Sequence, residues 1–439
     1  MDADKMRTLT LGISARTTYL PVVTSFVESA AIVFGMKKDE YLRLGLATEE
    51  IFLYLSNFVC QGKPLEVQCF NGFYYTRVLF RFSAVELNLS GLNIASNIAP
   101  DREPDLDAMG LMIASRSVDH LNIVVEKNNR ICLTITKEKA YPEPLEVLPL
   151  PQSTDKISTE TPDAERLKIF ATLTAQSHDL SQRPSFFTYP GKLVDMVASG
   201  EYSAIVALNQ KKEVGGGIVF CYRTEKNVEC FGPYCFAPEQ EKIICETLLA
   251  ACISSIARTK ALGLLSLSGL PASIRSNFEA LGSLRYSEEG KIPVDQFSFY
   301  RLLHEDPGFE VWSAGDLTDY LKREYSRLAL AREIRTVQNM GETRSGASLF
   351  AAEVHRDRQA VTLRPLWPGD DFSANIERHI RFLRDDHFLN LYFELDLGIP
   401  WHAELIPLLM AQQFKPGIIL PFAGKSDIVM FEYNNETKS

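Results

Sequence analysis

The chain has 439 residues, 46% of them hydrophobic and 23% charged, with a formal net charge of −10. That length predicts two to four domains with cores of their own. The acidic balance excludes a nucleic-acid surface built on clustered Lys and Arg. The lack of any run of about 18 apolar residues excludes a membrane-spanning helix.

The start, MDADKMRTLTLGIS, carries early acids and no long apolar stretch. It does not read as a secretory signal, so a cytoplasmic protein is expected. The eight Cys form no CxxC pair and read as reduced, buried thiols. Cys221, Cys230, Cys235, Cys245 and Cys252 are dense, but the segment holds no His and fits no tetrahedral ligand spacing. No metal is expected there. The seven His are spread out, and none pairs with a Ser or Cys at a catalytic spacing.

In chain order, Thr8 to Ser14 alternates like a strand. Leu20 to Phe34 and Asp39 to Val59 read as helices, and Leu65 to Cys69 and Thr76 to Phe82 as strands. Leu106 to Asp119 reads as a third helix, and Leu121 to Thr136 as two strands around the turn Lys127-Asn128-Asn129. These elements predict an α+β sandwich, with helices on one face of an antiparallel sheet. Pro142 to Pro162 then reads as a linker that holds neither a helix nor a central strand.

After the linker, Ser203 to Asn209, Gly217 to Arg223 and Val228 to Phe236 read as strands, and Glu241 to Lys260 as a long helix. Gly215-Gly216-Gly217 reads as a hairpin turn and strand start, where Gly supplies positive φ. Leu264 to Ser268 is a strand, Ala272 to Leu281 a helix, and two strands end at Leu302. Asp316 to Val337 reads as a charged amphipathic helix. The order then recurs: strands at Ser348 to Val354 and Val361 to Pro365, a helix at Ser373 to Leu383, a strand at Leu391 to Leu397, a helix at Trp401 to Gln413, and strands at Gly417 to Pro421 and Asp427 to Tyr433. A repeated element order points to a duplicated domain.

The second helix, RLGLATEEIFLYLSNFV, resembles the N-box helix of the GHKL ATPases in their anti-sigma-factor serine kinase branch. Ala47-Thr48-Glu49-Glu50 matches, while Tyr54 stands where that family has its Mg²⁺-binding Asn. Phe80-Arg81-Phe82-Ser83-Ala84-Val85 stands where the family has an adenine-reading Asp and a Gly. Asp107-Ala108-Met109-Gly110-Leu111 resembles the glycine stretch beside the phosphates, with Ala108 replacing its first glycine, and Asp119-His120-Leu121 follows as the exit. The resemblance implies a nucleotide site at Glu50, Ser83 and Gly110, holding ATP or ADP without turnover.

Residues Leu167 to Leu302 resemble the GNAT N-acetyltransferases. Val228 to Phe236 with Ala237-Pro238 is similar to their central strand and its exit, and Phe278-Glu279-Ala280-Leu281-Gly282 to their Tyr-Glu-x-Leu-Gly. The second copy keeps Phe414-Lys415-Pro416 and has Leu409 at the Tyr position. The resemblance implies an acyl-CoA site (acetyl-CoA or another acyl-CoA) at Phe236, Pro238, Gln240 and Lys242, with Glu229 or Glu246 as general base. Glu239 and Glu241 lie in the exit, which has no glycine, and Phe278 has no proton to give.

The expected fold is α+β and α/β multidomain: a GHKL-type sandwich over 1–140, a Pro-rich linker over 141–162, and two GNAT-like domains over 163–303 and 304–439. The expected function is a regulatory protein with a degenerate ATPase-like domain and an acyl-CoA-binding GNAT-like region. An active N-acyltransferase and an anti-sigma-type serine kinase are the alternatives. A sigma or anti-anti-sigma factor is the implied protein partner; a homodimer stays open.

Overall fold

The computed structural model describes residues 7–59, 62–83, 88–96, 105–126, 130–153, 156–338, 341–342 and 344–434, the side chains of 105–108 excepted. The turn at Lys127 to Asn129, and Ala84, Val85, and the side chains of Asp107 and Ala108, lie outside that description. Two compact units form. The first holds Met1–Ala140, Met340–His355 and Val361–Leu391, and the second Tyr141–Asn339, Arg356–Ala360 and Tyr392–Ser439. Residues 304–439 therefore contribute to both.

The first unit begins with strand β1 (Thr8–Ser14), helix α1 (Leu20–Val33) and helix α2 (Lys38–Tyr54), which continues as a π-helical turn, Leu55–Val59. Strands β2 (Pro64–Asn71) and β3 (Tyr75–Ser83), helix α3 (Asp105–Ser117) and strands β4 (His120–Val125) and β5 (Arg130–Glu138) follow. The strands form one antiparallel sheet in the order β1-β2-β3-β5-β4. Alternation along each strand sends Val67, Phe80 and Leu133 inward, where they meet Val23 and Phe52 of the helices. Glu40 ties both ends of this stretch together. Its carboxylate accepts from Lys37 N at 2.6 Å and from Ala140 N at 2.7 Å.

In the second unit, β6 (Ser158–Glu160), helices α4 (Ala164–Ser177) and α5 (Pro190–Ser199), strands β7 (Tyr202–Leu208), β8 (Val214–Thr224) and β9 (Asn227–Cys235), helix α6 (Glu241–Ile256), and strands β10 (Gly263–Ser266), β11 (Glu279–Tyr286) and β12 (Val294–Leu302) build a seven-stranded sheet. Its order is β11-β12-β10-β9-β8-β7-β6. The Pro-rich stretch supplies β6 at the sheet edge, where missing donors cost least. Helices α4 and α5 bury Leu167, Phe170 and Ala171, and Leu193 and Met196, and were not among the elements expected from the sequence. The cap of α4 is Asp163, whose carboxylate accepts from Arg166 N at 2.9 Å.

The three glycines of β8 do not form a turn. None of them has positive φ, and all are buried strand residues. A Cβ on Gly216 would meet Ile244 of α6 at 2.7 Å, and one on Gly217 would meet the Phe170 ring of α4 at 2.6 Å. Successive strand residues point to opposite faces, so α4 and α6 cover the two sides of the sheet. Close packing from both faces selects glycine here. Gly217→Ala is therefore expected to cost about 1–3 kcal/mol by overpacking; urea unfolding of the full chain checks it, and a change under a few tenths would refute the close-packing explanation.

Two helix assignments fail nearby. Ala272 to Leu281 is a short 3₁₀ turn, Ala272–Asn277, and the chain is extended from Phe278 onward. The Phe278-Glu279-Ala280-Leu281-Gly282 motif therefore lies at the start of a strand, with a bulge between Ala280 and Gly282. Asp316 to Val337 is also not one helix. Strand β13 (Phe309–Ser313), helix α7 (Leu317–Arg327) and strand β14 (Arg332–Thr336) form a parallel βαβ unit. Ala329 turns the chain at φ 52°, and Arg332 is then drawn into buried ion pairs with Asp306 and Asp427, both at 2.6 Å. Tertiary pairing overrides the helical pattern.

Strand β15 (Leu349–His355), strand β16 (Ala360–Trp367, from Val361 onward) and helix α8 (Phe372–Asp385) belong to the first unit. Leu349 enters the core of the N-terminal sandwich, with Leu366 and Trp367 packed against it. Strand β17 (Asn390–Asp396) pairs, from Tyr392 onward, with β19 (Ile428–Tyr433), and β19 with β18 (Phe414–Leu420), in the second unit. Trp401 to Gln413 splits into α9 (Pro400–Ala403) and α10 (Ile406–Ala411), because Pro407 has no N–H to continue the first helix. Among the described residues, no helix is long and apolar enough to cross a membrane.

Candidate functional site

In the first unit, packing of α2 against α3 brings Glu50 and Gly110 together. A Cβ on Gly110 would lie 2.4 Å from Glu50 Oε2, so the glycine makes room for the carboxylate. Burial, reinforced by the charge of Glu49, holds the Glu50 carboxyl above its ordinary range. Tyr54 donates its hydroxyl to the Asn88 carbonyl and stacks at a tilt on Phe58. Ser83 ends β3 at the surface opposite Arg130, and no hydrogen bond among the described residues joins it to Glu50 or Gly110. Two of the three residues expected from the resemblance to form a nucleotide site thus meet, and Ser83 is not joined to them.

The loop after Asn88 is held by a polar network that the sequence did not signal. Asn93 is 2% exposed; its amide donates to Ser348 O at 2.9 Å and accepts from Phe350 N at 3.0 Å, as a neighbouring strand would. Asn375 donates to the same Ser348 carbonyl at 3.0 Å, and Asp371 accepts from Ser348 N at 2.6 Å. The partners lie more than 250 positions from Asn93, beyond the reach of any local pattern.

The second unit holds the other candidate. β9 is parallel to β10, but only Asn227, Val228 and Glu229 pair with Gly263, Leu264 and Leu265. β9 then runs on to Cys235, still paired with β8 on its other side. β10 turns away: Ser266 donates its hydroxyl to the Gly269 carbonyl at 2.8 Å, and Gly269 has φ 85°. The two central strands part at this point, and β9 continues through Gly232-Pro233 with Cys230, Phe231 and Tyr234 buried.

The expected site residues surround this fork unequally. Glu229 sits at its base, but its carboxylate is paired with Arg223 at 3.1 Å, and Arg223 reaches Glu394 at 3.0 Å. Phe236 is 2% exposed and packs on the Phe170 ring in the core. Pro238 opens a 3₁₀ turn, Pro238–Gln240, that leads into α6. Lys242 and Glu246 face each other at 4.0 Å on the exposed side of α6. Phe278 is buried in the core beneath α6.

Beyond Glu229, Tyr234 projects to the α4 side, and His178 meets its ring edge-on at 4.9 Å. Tyr234 donates to Gln182 O at 3.3 Å, and burial pushes its hydroxyl above the usual range. Burial, with the Arg183 charge beside it, holds the His178 imidazole below its ordinary value. Arg183 itself is 7% exposed and pins the α4–α5 connection through His178 O at 2.9 Å and Thr188 Oγ1 at 2.9 Å. Neither His178 nor Arg183 stands in a motif, so sequence spacing gave no sign of them.

The sequence resemblance implies a phosphate of an acyl-CoA at the first turn of α6, and there the residues do not fit. Glu239 and Glu241 put two negative charges where a helix start favours an anion. Ser273 donates to Glu241 at 2.9 Å and keeps that carboxylate in place. No glycine lets the backbone approach a phosphate closely.

No family model matches the chain, and no curated protein does. Among solved structures, the chain is similar to a GNAT-family acetyltransferase from Staphylococcus aureus Mu50, at 16% identity over 34% of this chain and 100% of that one, with a TM-score of 0.25. It is similar to a GNAT-superfamily phosphinothricin acetyltransferase from Sinorhizobium meliloti in complex with AcCoA, at 18% identity over 34% of this chain and 89% of that one, with a TM-score of 0.26. An aminoglycoside 6′-N-acetyltransferase complexed with coenzyme A matches at 12% identity over 34% of this chain and 99% of that one, with a TM-score of 0.27.

Proposed function

We propose that the chain is a regulatory protein whose second unit carries a GNAT-like module that binds an acyl-CoA by its acyl-pantetheine arm. The observation that carries this reading is the parallel β9–β10 pair that separates after Glu229 and Leu265. The strand order around it supports the same reading, with α6 leaving the far end of β9. A regulatory rather than a catalytic role is favoured by the ion-paired Glu229 and by Phe278, which can protonate nothing.

The proposal extends to the rest of the chain. Residues 1–140 are read as a degenerate GHKL-type sandwich of the anti-sigma-kinase kind, binding ATP or ADP near Glu50 and Gly110 without turnover. The contact of those two residues supports the reading, and Tyr54 argues against a bound Mg²⁺. Residues 163–303 and 304–439 are read as two GNAT-like domains. A sigma or anti-anti-sigma-like factor is the proposed partner, in the cytoplasm.

An active N-acyltransferase is the second reading. It is favoured by His178, held neutral against Tyr234 on the strand that lines the fork. Thermal unfolding with acetyl-CoA, CoA, ADP and ATP·Mg²⁺ tests both. A ligand at about 100 times its dissociation constant should add about 2.7 kcal/mol. Stabilisation by acetyl-CoA without acetyl transfer to added amines supports the regulator; acetyl transfer to the amine, with release of the CoA thiol, supports the enzyme and defeats the regulator. No response to acetyl-CoA or CoA defeats both.

A further inference from the structure

We infer that Arg183 is the cation of a binding site for a small organic carboxylate in the second unit, with the Tyr234 hydroxyl as a further donor. The site stands apart from the acyl-CoA reading, which thermal unfolding with acetyl-CoA and CoA tests separately.

The Arg183 charge is buried and uncompensated. The residue is 7% exposed, and its guanidinium donates only to neutral oxygens: Nε to His178 O at 2.9 Å, and Nη1 to Thr188 Oγ1 at 2.9 Å and Pro184 O at 3.4 Å. Among the described residues, no carboxylate pairs with it and nothing accepts from Nη2. Asp357 and Asp179 act on it from beyond ion-pair distance, and both are exposed. Other guanidiniums that turn inward in this unit are matched. Arg332 pairs with Asp306 and Asp427, and Arg223 with Glu229 and Glu394. Burial lowers the pKa of Arg183, whereas at Arg332 the bonds to Asp427 and Asp306 more than offset burial. A guanidinium taken out of water without a counterion is costly, and a bound anion removes that cost.

A second cation converges on the same place. The charges of Arg183 and Arg358 both reach the Tyr234 hydroxyl. Tyr234 is 4% exposed, and its bond to Gln182 O is a long 3.3 Å. Arg358 is steered there by Gln296, whose Oε1 accepts from Nη2 at 3.1 Å, and by the Tyr286 ring at 5.2 Å. Two like charges around one hydroxyl repel, and an anion between them relieves the repulsion. The N–H groups of Arg183 Nη2 and the Tyr234 O–H suit the paired oxygens of a carboxylate. A phosphate, with its extra oxygen and charge, exceeds these donors. Half-buried His178 and exposed Gln182 bring the edge of the site to the surface.

The test is thermal unfolding of the full chain in sodium benzoate, acetate, phosphate and chloride at matched ionic strength, with benzamide as the uncharged control. The expected result is a saturable rise of the unfolding midpoint with at least one carboxylate, a smaller rise with phosphate, and none with chloride or benzamide. Arg183→Gln, which keeps a donor for the His178 carbonyl, should weaken the fitted carboxylate affinity at least about ten-fold. Tyr234→Phe, which removes only the hydroxyl, should weaken it about three- to ten-fold. No saturable rise with either carboxylate overturns the inference. A rise that both variants leave unchanged is a general salt effect and overturns it too. A larger rise with phosphate than with either carboxylate overturns the choice of ligand. If Arg183→Gln does not fold, Tyr234→Phe and Arg358→Gln decide, and an unchanged affinity in both overturns the inference.

Discussion

Arg332→Met is expected to destabilise the second unit by about 3–5 kcal/mol, because it leaves buried carboxylates without their cation. The Arg332 side chain is fully buried, and so is that of Asp427. Its guanidinium binds Asp427 through Nε at 2.6 Å and Nη2 at 3.1 Å, and Asp306 through Nη1 at 2.6 Å. Phe422 and Phe309 flank it, with ring centres at 4.8 and 5.3 Å. Asp427 also accepts from Phe422 N at 2.9 Å, so losing the arginine loosens the chain between β18 and β19 as well. Arg332→Lys should lose less, since it keeps the charge but not the two-pronged geometry. Hydrogen exchange as a function of urea, read separately for peptides of each unit, checks this. A loss below about 1 kcal/mol would mean that the cluster behaves like an exposed ion pair.

Acid should weaken both units through one buried histidine in each. His379, fully buried on α8 of the first unit, has its pKa lowered to about 4 by burial. Its Nδ1 bonds the Asn375 carbonyl at 2.9 Å, and Nε2 is buried with no hydrogen-bond partner among the described residues. A second proton would sit on that nitrogen with nothing to receive it. His402, in the second unit, is lowered to about 3 by burial. Its Nδ1 accepts from Asp396 N at 3.2 Å, a bond that protonation at that nitrogen removes.

The sign follows from linkage. Both folded pKa values lie below the unfolded value, so each contribution is complete above about pH 6.5 and is lost as the pH falls toward the folded value. At about 1.4 kcal/mol per pH unit, the losses approach roughly 3 kcal/mol for His379 and 5 kcal/mol for His402. His379→Asn and His402→Asn retain a polar group near Nδ1 but cannot titrate. Each should flatten the stability of its own unit between pH 6.5 and 4, and leave the other unit unchanged. An unchanged slope in either variant would show that other groups drive the acid response.

The sandwich of the first unit and the βββαβ core of the second were readable because each element carries its own period. Thr8–Ser14 alternates over its whole length, and Val228 to Phe236 is mostly apolar, with Glu229 its one charged residue. The sequence also pointed to Glu50 with Gly110, and to the acidic, glycine-free exit from β9. It did not reveal that Glu229 is paired with Arg223, because the bond depends on how the β8–β9 hairpin bulges.

The failures share a cause. Asp316 to Val337 has helical periodicity, yet Arg332 to Thr336 is a strand because β13 lies beside it and two acids wait for its first arginine. The Gly215 to Gly217 run reads locally as a turn, while Phe170 and Ile244 approach it from opposite faces. His178 and Arg183 belong to no pattern until α4 and β9 pack together. Period, caps and local charge are properties of neighbours in the chain, so the sequence by itself determined most of the elements and their order, and missed those that pairing decides. The fork between β9 and β10, the Asn93 clasp and the buried Arg332 depend on residues distant in the chain, and only the tertiary structure decided them. Burial turns such encounters into strong constraints, since a polar group removed from water must find its partner wherever the fold supplies one.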